Sequence, residues 1–258
     1  MSAFFKIKTY LNYWLDAVDD HSLHAPFLFD FYTHTIRRET GELIAVENLR
    51  KQLLKDNRII QVTDYGKGSK HSKETQRKIS DIAQTSLSPA KYSALYHRIT
   101  RLRQPKTIVE LGTSFGINTL YLAQDPNAHV YTFEGSDSIA DIAELSFEFA
   151  GAKNIELIRG NLDSTLYATL SRIPKIDLAF MDANHRLEPT LRYFELLLSK
   201  SHHKSLFIVD DIHDTPEMEQ AWKTMKKHPL VYVSIDLFRC GILFPDPALN
   251  KQHVVLRF

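Results

Sequence analysis

From Lys106 onward the chain repeats one pattern five times: a short apolar or β-branched run, then a segment with helical spacing. The runs are KTIVEL (106–111), HVYTFE (129–134), NIELIRG (154–160), KIDLAFMD (175–182) and KSLFIVDD (204–211). Strands separated by helices pair in parallel, with helices covering both faces of the sheet. LVYVSIDLF (230–238) and GILF (241–244) then read as two strands joined through Arg239 and Cys240, and HVVLRF (253–258) as a last one. A sheet of this kind binds ligands beyond the carboxyl ends of its strands, where the strand order reverses. The side chains that end the runs are therefore the first candidates for chemistry.

The 258 residues suffice for one large α/β domain, or for a domain with a helical extension. Residues 1–87 read as such an extension and 88–258 as the domain. Ile7, Leu11, Trp14, Leu15 and Val18 form one helical stripe, which the acids Asp16, Asp19 and Asp20 turn away from anionic lipid and toward a core. HAPFLFDFYTHTI (24–36) places Pro26 in a first helical turn and carries aromatics dense enough to need burial. Short helices follow over 47–55 and 73–87, separated by the polar loop DYGKGSKHSK (64–73), and Ser88–Pro89 opens another helix that Pro105 ends.

Residues 1–105 carry 17 Lys/Arg against 11 Asp/Glu, and the rest 15 against 20. The basic part includes Lys67, Lys70 and Lys73, but no interleaved aromatics or RNA-binding signature accompany them, so nucleic acid is disfavoured as a partner. No stretch approaches the roughly 20 apolar residues that span a bilayer. The first residues lack a signal-peptide pattern, and Cys240, alone in the chain, forms no internal disulfide. A cytoplasmic protein that does not contact membrane is expected.

The first run leads into ELGTSFGINTL, with Glu110, Gly112 and Gly116 in the order E-x-G-x-x-x-G. The dinucleotide fingerprint G-x-G-x-x-G aims a helix at a pyrophosphate. Here Ser114 replaces its middle glycine, which argues against a nicotinamide oxidoreductase. Gly112, with Thr113, lets the backbone approach a ligand, and Gly116 lets the helix pack closely on the strand. Asn118, in the first helical turn, is placed to donate to a carboxylate. Glu134 ends the next strand 22 residues past Gly112; an acid there accepts from both hydroxyls of a ribose and repels a 2′-phosphate. Its alternative role is to cap the helix at Ser136. Asn161, Leu162 and Asp163 follow the third strand and would border an adenine, although NLDS is also a helix cap. Asp182 and Asp210 end apolar strands, where a carboxylate serves packing poorly.

The ordered set of Glu110, Gly112 and Gly116, then Glu134, GNLD, FMDANH and VDD resembles a class I S-adenosylmethionine-dependent methyltransferase over roughly Ser88 to Phe244. Within that superfamily the strand ends most resemble small-molecule O-methyltransferases of the catechol and caffeoyl-CoA type. The resemblance implies a Rossmann-like, doubly wound, mostly parallel seven-stranded sheet in methyltransferase order. It implies S-adenosyl-L-methionine as cofactor, with Glu110, Gly112, Thr113, Gly116, Asn118, Glu134, Asn161, Leu162, Asp163 and Asp182 around it. It also implies a divalent cation such as Mg²⁺ on Asp182, Asp210 and Asp211, although Asp211 stands where the catechol type has Asn. The third carboxylate leaves the cation open and calls for a positive group nearby. His185 stands where those enzymes carry a basic lysine. It reads as a general base beside Asp182, with a metal or substrate contact and a structural role as alternatives. His213 is a second base candidate. No N-P-P-Y or D-P-P-Y sequence follows the fourth strand, which favours an oxygen acceptor on a small molecule. Methylation of RNA or protein through the basic amino-terminal part, and a non-catalytic cofactor-binding module, are the competing functions.

Overall fold

A computed structural model describes residues 3–63 and 75–258. The predicted loop 64–73, with Lys67, Lys70 and Lys73, lies outside the described residues. The elements begin with α1 (Ala3–Asp16), α2 (Pro26–Phe31) and α3 (Ile44–Leu53). A short hairpin of β1 (Ile59–Gln61) and β2 (Gln76–Lys78) leads into α4 (Ile79–Ser86) and α5 (Ala90–Arg103). The alternating region follows as β3 (Thr107–Leu111), α6 (Ile117–Leu122), β4 (His129–Glu134), α7 (Asp137–Ala150), β5 (Ile155–Arg159) and α8 (Leu162–Arg172). It continues as β6 (Leu178–Met181), α9 (Leu187–Leu198), β7 (Leu206–Val209) and α10 (Pro216–Met225). The last strands are β8 (Val233–Asp236), β9 (Gly241–Phe244) and β10 (Gln252–Val255).

Eight strands in the order β10-β8-β9-β7-β6-β3-β4-β5 form the mostly parallel, helix-flanked sheet. Seven had been expected. The seven from β3 to β9 keep the methyltransferase order, and β10 adds an eighth alongside β8, in parallel. Only β9 runs antiparallel to its neighbours β7 and β8. The reversal follows from the short connection between β8 and β9, which is too short for a parallel crossover.

The chain divides into two compact units, Glu39–Arg172 and Met1–Arg38 with Ile173–Phe258. The expected boundary at 87/88 falls inside the first of these. In Glu39–Arg172 a core of Val46, Leu49, Ile79, Ile82, Phe115, Ile117, Tyr121 and Phe147 joins α3, α4, α6 and α7. Asn154 donates to three carbonyls, of Ala123, Asp125 and Ala128, and ties the start of β5 to the loop before β4. The helix expected over 73–87 begins only at Ile79, because Gln76–Lys78 pairs with Ile59–Gln61 as a strand. Ser88 does not cap α5, whose cap position is Pro89.

In the other unit α2 lays Phe27 and Phe31 edge-on to Phe244, with centroids 5.1 and 5.3 Å away. Tyr32 donates to the Arg257 carbonyl, and Val18 bridges Leu256. The amino-terminal helices thus belong with the last strands. One expectation fails: Ile7, Leu11, Trp14 and Leu15 are exposed rather than in a core. The helix docks through its opposite side, where Thr9 and Ala17 are buried. Trp222 of α10 is fully buried against β9, and a Cβ on Gly241 would lie 2.4 Å from two of its ring atoms. Gly241→Ala is therefore expected to lower stability by about 1–3 kcal/mol in urea unfolding. The loss should shrink in a Trp222→Phe background, which removes the clashing ring atoms; equal losses in both backgrounds would contradict this packing.

Candidate functional site

The unit Glu39–Arg172 holds the expected cofactor residues, and their positions start from one buried acid. Glu110 in β3 is fully buried, and its Oε2 accepts from Thr119 Oγ1 of α6 at 2.5 Å and from Thr132 Oγ1 of β4 at 2.6 Å. Oε1 is buried and has no hydrogen-bond partner among the described residues. Burial pushes this carboxyl up to about 7, the two hydroxyls oppose that shift, and the nearby Glu134 adds to it. Thr132 also meets Thr113, with the hydroxyl oxygens 2.6 Å apart. The Thr113 side chain is thereby spent inside the loop.

Between Glu110 and α6 the loop turns through Gly112 at φ +96°, Ser114 at +49° and Gly116 at +81°. Ser114 has a non-glycine residue's strain in this region. Gly116 is glycine for packing as well as for φ: a Cβ there would lie 2.5 Å from the Phe147 ring of α7. The close partner is thus a neighbouring helix, where the sequence pointed to the strand. The folded-back loop aims the Ser114 N–H at Glu134 Oε2, at 2.9 Å, while the Ser136 N–H donates to Oε1 at 3.0 Å. Glu134 therefore does cap the start of α7. These two bonds fix the direction of the carboxylate.

Asn118 is committed elsewhere. Its Nδ2 donates to Ser88 Oγ at 2.9 Å and its Oδ1 accepts from Ser93 Oγ at 2.7 Å, joining α6 to the start of α5. Asn161 accepts the Asp163 N–H at 2.9 Å and caps α8, of which Leu162 is the first residue. Asp163 is exposed and Leu162 half-buried.

The other unit holds the acid cluster. Asp182, His185 and Asp211 each present a ligand atom, and these atoms lie within 4.8 Å of one another. His185 Nε2 stands 3.5 Å from Asp182 Oδ1, and His185 Nδ1 and Asn184 Oδ1 are buried without a partner among the described residues. Asn184, His185 and Asp211 all have left-handed φ, at +68°, +52° and +54°. Backbone held in this region by non-glycine residues gathers at functional sites. Asp210 does not join the cluster. It is fully buried and accepts from Arg239 Nε at 3.2 Å and Nη2 at 2.9 Å. Arg239 also reaches Asp211 at 3.4 Å, and is the positive group that three carboxylates required. The strand-end pattern could not reveal it, because Arg239 comes from the β8–β9 turn. His213 takes another acid: its Nε2 is 2.8 Å from Asp236 Oδ2, which also accepts from Trp222 Nε1 at 3.0 Å, and its ring stacks on Phe238.

The donor sets fit the groups that the sequence implied. An oriented Glu134 carboxylate suits a vicinal diol, and an unpaired buried Glu110 oxygen lies beside the loop that would carry the ligand. The carboxylates of Asp182 and Asp211 offer oxygen ligands that suit a hard divalent cation such as Mg²⁺, while an ion that also took the His185 imidazole would be one of the first transition row.

The buried acid also sets a pH dependence. An unfolded chain releases the Glu110 proton near 4.5 and the folded one near 7. Between these values the folded state keeps a proton that the unfolded state has lost, so stability falls as pH rises through this window and levels off above it. Glu110→Gln keeps an acceptor for Thr119 and Thr132 and removes the titration. In urea unfolding without ligand, the variant should gain on the wild type by a few kcal/mol between pH 5 and about 8. A constant difference across that range would contradict the assignment.

Comparison with known proteins supports the same reading. Residues 109–212 match the model of a methyltransferase domain family. The chain is 26% identical over 135 residues to a protein-L-isoaspartate O-methyltransferase of Pyrococcus horikoshii, a match that spans 52% of this chain and 60% of that protein. Among solved structures, a putative caffeoyl-CoA O-methyltransferase from Staphylococcus aureus superposes with a TM-score of 0.59 at 15% identity, over 84% of this chain and 97% of that one. The O-methyltransferase TomG from Streptomyces achromogenes, in complex with SAM, gives 0.55 at 23% identity over 62% and 81%. No described helix is long and apolar enough to cross a membrane. Residues 109–212 thus match a methyltransferase domain, and the chain shares the Rossmann-like fold of these O-methyltransferase structures.

Proposed function

We propose that the protein transfers a methyl group from S-adenosyl-L-methionine to a hydroxyl oxygen of a small molecule. The observation that carries the cofactor half is the Glu134 carboxylate, fixed by the N–H groups of Ser114 and Ser136. A carboxylate held in this way accepts from both ribose hydroxyls, and the loop 112–116 beside it gives a nucleoside bare backbone to lie on. Asn161 and Leu162 would flank the base. The two glycines, the strained Ser114 and the Glu110 network serve to hold this surface rigid rather than to touch the reacting carbon.

The bound cofactor supplies an electrophilic methyl group, already reactive toward an oxygen nucleophile. The chain must then orient the acceptor and remove its proton. His185 is the residue we assign to the proton. Its Nε2 stands 3.5 Å from Asp182 Oδ1, which steadies the ring. Asp182 and Asp211 are left as the oxygen ligands for a divalent cation, should one serve the acceptor's second oxygen. Asp210, paired with Arg239, holds the turn in place. The relatives named above share an oxygen acceptor in their names, and the small-molecule class follows the resemblance in the strand-end motifs.

Scanning fluorimetry separates this reading from its rivals, because a ligand that binds only the folded state raises the melting temperature. S-adenosylhomocysteine should raise it and NAD⁺ should not; the reverse pattern would overturn the proposal. Glu134→Gln should weaken S-adenosylhomocysteine binding by at least about tenfold, since it removes a charged acceptor from two hydrogen bonds. His185→Ala should lower turnover by about 10²–10⁴ while leaving cofactor affinity within about twofold. An unchanged rate would remove His185 as base. Asp211→Asn and chelator tests bear on the cation: if neither alters activity, no metal takes part.

A further inference from the structure

Glu110 carries more charge than its place in the fold requires. It is fully buried, and its Oε2 is spent on the hydroxyls of Thr119 and Thr132. A glutamine would accept from the same two hydroxyls without putting an ionisable group in the interior. Oε1 is buried too, with no hydrogen-bond partner among the described residues. Of the elements packed against Glu110 within its unit, α6 brings Thr119, and β4 brings Thr132 and Glu134. Glu134 is itself an acid and opposes a charge on Glu110. Among the described residues this carboxylate therefore meets no opposite charge, whereas the equally buried Asp210 of the other unit has Arg239.

One hydroxyl separates this carboxylate from the loop that the proposed function gives to the cofactor. Thr132, which donates to Glu110, meets Thr113 of that loop at 2.6 Å. We propose that Glu110 tells the two forms of the cofactor apart: ionised, it favours the sulfonium of S-adenosyl-L-methionine over the uncharged thioether of S-adenosylhomocysteine, and protonated, it loses that preference. The inference rests on the cofactor reading given above. Methyl transfer breaks the bond from carbon to sulfur and leaves its electron pair on sulfur, so the ligand gives up one positive charge while still in the site. A cation steadies a carboxylate most where water is excluded. The substrate form thus brings Glu110 the opposite charge that its neighbours withhold. The product form does not, and Glu110 takes up a proton. Burial pushes its carboxyl up to about 7 against the pull of the two hydroxyls, and Glu134 adds to the rise, so both states are populated near neutral pH. The sign follows. Affinity for S-adenosyl-L-methionine rises as pH climbs through about 7 and then levels off, while that for S-adenosylhomocysteine changes less.

Isothermal titration calorimetry on the full chain with each ligand, between about pH 5.5 and 8, tests this. In the wild type the ratio of affinities, S-adenosyl-L-methionine over S-adenosylhomocysteine, should rise at least about fivefold across that range. In Glu110→Gln it should stay within about twofold. Titration of the histidines and of the ligands persists in that variant, so the comparison removes it. The wild type in buffers of different ionisation heat gives a second reading that needs no variant. At about pH 6.5, binding of S-adenosyl-L-methionine should release about half a proton more than binding of S-adenosylhomocysteine. A ratio that stays flat in the wild type, equal proton release by both ligands, or a rise that persists in Glu110→Gln overturns the proposal. Failure of S-adenosylhomocysteine to bind at any pH would overturn the cofactor reading itself, and this inference with it.

Discussion

One buried carboxylate sets the geometry of the loop that follows β3 in the unit Glu39–Arg172. Among the described residues Glu110 has no cation beside it, only the hydroxyls of Thr119 and Thr132. Those two bonds join the end of β3 to the first turn of α6 and to the middle of β4. The loop between Glu110 and Ile117 is thus held at both ends, and only a path through three left-handed residues closes it. That path turns the Ser114 N–H onto Glu134. Glu110 therefore decides where Glu134 points, although the two acids come from different strands. The arrangement has a cost, since burial holds the Glu110 proton to about 7 and a group that prefers to be neutral sits where the pH of a cell would ionise it.

The second unit solves the same problem with a cation. Asp210 is as deeply buried as Glu110, but Arg239 supplies two hydrogen bonds and a positive charge. Breaking such a pair is expensive because it strands a buried charge. Asp210 is thereby withdrawn from ligand duty, and Asp211, His185 and Asp182 are left to face one another. The same turn that supplies Arg239 carries Phe238 at φ +67°, on which the ring of His213 stacks.

Much of this was legible in the sequence, and the failures have physical causes. The alternation from Lys106 to Asp211 specifies parallel strands, and the acids that end those strands stood out because apolar runs leave no packing reason for them. What a strand-end pattern cannot show is which partner a side chain takes. Asn118 has the right position for a ligand contact, yet its amide is satisfied by Ser88 and Ser93, two hydroxyls that the sequence assigns to a helix start. Arg239 lies far along the chain from Asp210. Gln76–Lys78 reads as the start of a helix, but pairing with Ile59–Gln61 overrides that local preference. The stripe of α1 was visible, though an apolar stripe says only that something must cover it; the side that docks is decided by Thr9, Tyr13 and Ala17, which a hydropathy pattern ranks lower.

The central claim is that a sulfonium nucleoside lies against the loop 112–116 with its sugar on Glu134. Hydrogen exchange resolved along the backbone, with and without S-adenosylhomocysteine, tests it most directly. The account predicts that the added protection is concentrated at residues 111–118 and 134–138, with a smaller effect at 160–163. Saturating ligand that leaves those segments exchanging as before, while protecting others, would contradict it.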